Sequence, residues 1–148
     1  MPARLIERRH GEYAIITDPG RIDLVAVHRY LSEESYWAAD RSSEIQRRAI
    51  EHSHLVVGAD DDAGDQGGFA RMVTDLATFA WLADVFVLPA ARGRGLGTAL
   101  VETIVEHPDV ADVSWQVLAT NDVHGLYARF GCTPSTSPRN WVHRRVAT

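Results

Sequence analysis

The stretch "VFVLPAARGRGLGTAL", Val85 to Leu100, decides the reading of this chain. An apolar run of strand character ends at Leu88-Pro89. Three glycines at alternate positions (Gly93, Gly95 and Gly97) and two arginines (Arg92 and Arg94) follow. Leu96, Leu100 and Ile104 then recur at helical spacing until His107-Pro108 stops them. A glycine-rich turn that feeds a helix start gathers several backbone N–H groups in one concavity. The helix dipole adds partial positive charge there, and the two arginines add formal charge. That is the chemistry of a phosphate or pyrophosphate site. One glycine would mean only a tight turn; three between a strand and a helix point to an anion.

Two anion carriers are excluded or disfavoured. A Walker loop needs a lysine after its last glycine, and the chain contains no lysine. A dinucleotide fold needs GxGxxG and an acid closing its second strand. Here the spacing is GxGxG, and Asp112 stands before that strand rather than at its end.

Outward from the turn, the chain reads as alternating elements. Glu12–Asp18 is a predicted strand, ended by Pro19-Gly20. Asp23 is placed to cap a helix whose Leu24, Val27, His28 and Leu31 share one face, and "YWAADR" breaks that pattern. Ser42 or Ser43 caps a second helix, with Ile45 and Ala49 marking its apolar side. "HLVVGA" is a short strand and "DDDAGDQGG" a polar turn. "FARMVTD" and "FAWLADVFV" form a hairpin around "LAT". After the glycine turn and its helix come a strand at Val113–Ala119, a short helix "DVHGLYARFG" closed by Gly131, and a last strand "NWVHRRV". No repeat, linker or low-complexity tract divides the chain, so residues 1–148 read as one domain.

Arg92-Gly93-Arg94-Gly95-Leu96-Gly97 matches the pattern R/Q-x-x-G-x-G/A. With the strand and proline before it and "LYARFGC" after it, the chain resembles the GNAT acetyltransferases from about Glu12 to Val146. The resemblance implies an α/β (α+β) fold: a mixed, mostly antiparallel sheet of six to seven strands flanked by about four helices. It implies acetyl-CoA as cosubstrate, with the pantetheine along Val85, Phe86 and Val87 and the pyrophosphate on Arg92, Gly93, Arg94, Gly95, Leu96, Gly97 and Thr98. It puts Tyr127 near the thioester sulfur. The asparagine commonly found seven residues before that tyrosine is Thr120 here, with Asn121 one residue later, and both are candidates. The aromatics Tyr36 and Trp37 fall in the loop that roofs the acceptor site in the family; Trp37 plugging the core edge is the alternative.

Acetyl transfer to an amine sets three chemical demands. An alkyl ammonium has a pKa of about 10.4, so fewer than about one amine in a thousand is free at pH 7, and a base or water relay must take the proton. An unpaired N–H at a splayed strand, expected at Val87, can steady the oxyanion. Tyr127, at a pKa of about 10, can protonate a thiolate of about 8.5 with an uphill gap of roughly 2 kcal/mol. Asp84 stands in an otherwise apolar strand, which is costly for a carboxylate unless it is paired or used. It is either the base or the cross-strand partner of Arg71. Glu33, Glu34, His28 and His124 are further candidates for the base.

Bulk composition agrees. The 148 residues are 45% hydrophobic and 24% charged, with a net charge of −5. That balance argues against non-specific nucleic-acid binding and suits a cationic substrate. Cys132 is the only cysteine, so no internal disulfide forms, and a reducing, cytoplasmic setting is expected. No apolar leader and no run of 18 apolar residues is seen, so no membrane span is expected. The seven histidines lack ligand spacing, so no metal is expected. The expected activity is transfer of acetyl from acetyl-CoA to a primary amine of a small molecule or peptide, by direct attack in a ternary complex. A non-catalytic acetyl-CoA-binding or regulatory module on the same fold is the alternative, and a homodimer stays open.

Overall fold

The computed structural model describes residues 2–121 and 123–147. Its strands are β1 (Glu7–His10), β2 (Tyr13–Ile16), β3 (Leu55–Asp60), β4 (Gln66–Thr74), β5 (Ala80–Val87) and β6 (Gln116–Val117). Its α-helices are α1 (Leu24–Glu34), α2 (Ser43–Glu51), α3 (Leu96–Val105) and α4 (His124–Ala128). The strands lie in one sheet in chain order. Each neighbouring pair is antiparallel except β5 and β6, which run parallel. The fold is therefore the α+β, mostly antiparallel sheet with four helices that the resemblance implies.

The sheet is covered on both faces. On one, α3 lays Leu96, Leu100 and Ile104 against Ile15, Leu55, Val57, Met72 and Leu82. On the other, Val27 and Leu31 of α1 and Ile50 of α2 meet Val56, Phe69 and Phe86. The alternation of Leu55, Val56 and Val57 between the two faces is the period-two pleat. Gly68 lets α3 approach: a Cβ there would stand 2.9 Å from Leu100 Cδ1 and 3.1 Å from the Phe86 carbonyl oxygen.

The helix starts follow their caps. Asp23 accepts from the Ala26 N–H and Ser42 from the Ile45 N–H. The faces differ in part from those predicted. Leu24 is at the surface, and α2 buries Gln46 and Ile50 while Ile45 is exposed. Gln46 is drawn inward because its Oε1 accepts from Arg41 Nη1 at 2.9 Å.

Four other sequence expectations are corrected. Strand β1 was not anticipated; its residues "ERRH" are a mostly exposed edge with no apolar alternation. The polar turn before β4 ends at Asp65, and Gln66, Gly67 and Gly68 are already buried strand. The strand expected at 113–119 shrinks to Gln116–Val117. The last strand does not form. Trp141 and Val142 are adjacent, so a strand would send them to opposite faces, and His143, Arg144 and Arg145 leave neither face apolar. Trp141 instead tilts against Trp115, with ring centroids 5.2 Å apart, while Val142 and Val146 stay exposed.

Strand β5 carries the irregularity that builds the site. Phe69 pairs with Phe86 but Arg71 pairs with Ala83, so β5 has one residue more than β4 over that span. Asp84 takes φ 54° within it. The extra residue shifts the pleat by one step. Ala80 and Leu82 face α3, yet Phe86 faces α1 and α2.

Candidate active site

Among the described residues β5 pairs with β6 only at Ala80–Gln116 and Trp81–Val117. Beyond Trp81 this pairing ends. The Leu88 N–H donates to the Gly67 carbonyl, so by antiparallel alternation the Phe86 backbone faces β4 and the backbone of Val85 and Val87 faces the edge beyond that pairing. The Val87 carbonyl on that edge accepts from Arg92 Nε at 3.1 Å.

The edge runs straight into the glycine turn. Gly93 (φ 81°) and Gly95 (φ 76°) take the left-handed conformation that side chains disfavour. Gly95 is the N-cap of α3, and no side chain caps the helix, so its first-turn N–H groups are left to a ligand or water. A groove of about 250 Å³ lies here, lined by Val87, by the turn from Arg92 to Thr98 without Arg94, and by Leu126 of α4. The two arginines part company. Arg92 lines the groove and its Nη2 donates to the Tyr30 hydroxyl. Arg94 turns back, with Nη1 donating to the Ala90 carbonyl and Nε 3.7 Å from Glu12. His10 of β1 was not foreseen: its Nε2 donates to the Arg94 carbonyl at 2.6 Å and braces the turn from across the sheet. Nothing local in the sequence signals that contact.

On the other side of this edge sits a polar hub. Asp84 Oδ2 accepts from Arg71 Nε and Arg41 Nη1, both at 2.7 Å, and Oδ1 accepts from Trp37 Nε1 at 2.9 Å. The cross-strand pair with Arg71 is thus present. Burial pushes the Asp84 carboxyl up, but Arg71, Arg41 and the Trp37 indole outweigh that and hold it below the ordinary carboxylate range. A carboxylate with three donors and depressed basicity is a weak proton acceptor at neutral pH. Arg41, missed by the sequence reading, joins the hub because the loop after Trp37 folds back onto β5.

The loop itself spans the mouth. Tyr36 is 58% exposed and Trp37 41%, their rings edge to face at 5.0 Å. The Tyr36 hydroxyl accepts from the Asn121 N–H at 3.2 Å, just past β6, while Trp37 bonds to Asp84 on β5. Trp37 therefore has a half-open ring rather than a core-plugging one. Thr120 Oγ1 accepts from the Val123 N–H ahead of α4. Tyr127 on α4 is buried in the cluster on the α3 face. Half-buried Cys132 follows, its thiol pushed up by burial and its N–H donating to the Tyr127 carbonyl. Of the other base candidates, His28 donates from Nε2 to the Arg41 carbonyl, and Glu33 and Glu34 are exposed. The side chain of His124 lies outside the described residues. No cluster of three His, Cys, Asp or Glu side chains suited to a metal occurs among the described residues, and no helix among them is long and apolar enough to cross a membrane.

A family model for the acetyltransferase (GNAT) domain matches residues 51–133, from the end of α2 past Cys132. The chain belongs to the GNAT acetyltransferase family. A solved GNAT-family protein from Xanthomonas campestris pv. campestris is 43% identical, with a TM-score of 0.87 over 93% of this chain and 96% of that one. A Gibberella zeae protein named as an acetyltransferase is 27% identical over 113 residues, 65% of this chain and 64% of its own length. The chain spans under two thirds of the length of the curated relatives it matches. A GNAT-family structure from Brucella melitensis, solved with acetyl-CoA, shares the fold at 21% identity, with a TM-score of 0.63 over 83% of each chain. The matched region of this GNAT chain contains the glycine turn, α3, β5 and β6.

Proposed function

We propose that the chain transfers the acetyl group of acetyl-CoA to a primary amine, borne by a small molecule or peptide, by direct attack in a ternary complex. One observation carries the reading: the backbone edge of Val85 and Val87, beyond the last β5–β6 pair, leads directly into an uncapped glycine groove. The residues fit the cosubstrate. An extended amide chain can pair with the free edge as an added strand would. A pyrophosphate suits the first-turn N–H groups of α3 and Arg92. The acetyl-CoA complex of the Brucella neighbour supports the same choice.

Acetyl-CoA supplies an activated acyl group. The chain supplies position and charge. The Val87 N–H, on the free edge, is the donor for the oxyanion of acyl transfer. Tyr127 is the acid assigned to the leaving thiolate. Asp84 holds the mouth in shape through Trp37 and Arg41, and the ammonium proton leaves to water in the open mouth. Isothermal titration of acetyl-CoA against the wild type and Gly95→Glu tests the binding. A glutamate Cβ would meet His10 Nε2 at 3.2 Å and place negative charge in the groove. Loss of binding is expected, and unchanged affinity overturns the site. Release of free thiol with a panel of amines then separates an enzyme from a binding module.

A further inference from the structure

Resting on that acetyltransferase reading, we propose that the acceptor carries an anionic group near its amine and that Arg41 is the residue that reads it. The starting point is the charge count of the hub. Arg41 and Arg71 share one carboxylate, Asp84, and neither has a second carboxylate within 4.0 Å among the described residues. The hub therefore holds one positive charge in excess. Asp84 is 1% exposed in its side chain and Arg71 6%, so little water reaches the pair to screen that charge. An anion supplied by a ligand is the natural counterpart of such an excess.

Arg41 is the member that can reach a ligand. Its side chain is 19% exposed. Both hydrogens of Nη1 are spent, on Asp84 Oδ2 at 2.7 Å and on Gln46 Oε1 at 2.9 Å. Its Nε and Nη2 have no partner among the described residues, yet the buried side-chain atom left without one is Gln46 Nε2 and not these. The Nε–Nη2 side of the guanidinium is thus reachable and free. Its parallel N–H groups form the fork that grips a carboxylate or phosphate in two bonds. Arg71 is committed instead to Asp84 and Ser53, with its guanidinium 5.4 Å from the centre of the Trp81 ring.

Location ties this fork to the reacting amine. Arg41 touches Asp84, three residues before Val87 at the β5 edge, and follows Trp37 by four residues in the loop across the mouth. The half-exposed rings of Tyr36 and Trp37 give the body of the acceptor an apolar wall. A zwitterionic or phosphorylated amine satisfies the excess charge, whereas a polyamine adds to it.

Matched pairs of amines test this: phenethylamine against phenylalanine, and ethanolamine against phosphoethanolamine. Each is assayed for thiol release with acetyl-CoA and titrated calorimetrically with and without CoA. The anion-bearing member of at least one pair is expected to have a kcat/KM or affinity at least tenfold higher, and the pair that responds distinguishes a carboxylate from a phosphate. Arg41→Gln should bring the two members within about twofold, and Arg41→Lys, which keeps charge but not the fork, should fall between. Equal or reversed preference in the wild type overturns the proposal whatever the variants do, as does a lack of binding by every member of the panel. Failure of acetyl-CoA itself to bind is a different result and overturns the acetyltransferase reading instead.

Discussion

Asp84→Asn is the most informative substitution. The side chain is buried, it joins three elements, and it sits at φ 54°. Asparagine tolerates that conformation, so backbone strain does not confuse the result. The change removes the single negative charge facing Arg71 and Arg41. Removing one partner of a buried pair costs about 3–5 kcal/mol. An amide can still accept one of the three hydrogen bonds, so about 3 kcal/mol is expected. For a chain of this length each kcal/mol lowers Tm by about 2–4 °C, giving a drop of roughly 6–12 °C at pH 7. The pH dependence follows from the direction of the shift. The folded-state carboxyl is held below its ordinary value of 3.8. Its stabilisation is therefore full above that value and is lost as pH falls through the lower folded value. The gap between wild type and variant should begin to narrow only as pH falls below about 4. Thermal melts by circular dichroism and urea midpoints at several pH values between 7 and 3 read this out. A variant melting within 2 °C of wild type at pH 7 refutes the hub. A gap that stays constant to pH 3 refutes charge as its cause.

Other outcomes can be checked with the same protein. Trp37→Ala removes a half-exposed wall and one donor to Asp84; acceptor KM should rise about 5- to 20-fold with kcat changed less, because that contact serves bound substrate and transition state alike. Tyr127→Phe should lower kcat about 10- to 100-fold with acetyl-CoA affinity nearly kept, and an unchanged rate on a true acceptor would make Tyr127 a packing residue. Gly68→Ala should lower stability by about 1–3 kcal/mol in urea titration, since the new methyl meets both Leu100 and the Phe86 carbonyl. Unaltered stability would mean that α3 shifts freely on the sheet.

Much of the architecture was legible because it is local. The caps Asp23 and Ser42, the hairpin of β4 and β5, and the glycine turn before α3 each rest on neighbouring residues and a fixed period. The turn itself could be placed because three glycines and a helix start coincide within a few positions. Arg94 could not be separated from Arg92 in this way: Glu12, toward which its guanidinium turns, is more than 80 residues away in the chain.

What only the tertiary structure decided is set by contacts between distant segments. The failed last strand shows that β-propensity without an apolar face does not hold a strand, and the shortened β6 that an apolar alternation does not hold one beyond its pairing with a neighbour. The bulge at Asp84 is the clearest case. In sequence it is one acid within an apolar run. In the fold it is the extra residue that turns Phe86 to the opposite face, and the carboxylate on which Trp37 and Arg41 of the α1–α2 loop and Arg71 of β4 converge. An isolated carboxylate in an apolar strand announces that it needs partners, because desolvation is costly. Which partners arrive depends on chain packing that local propensity does not encode, and here that packing brings two guanidinium groups to one carboxylate.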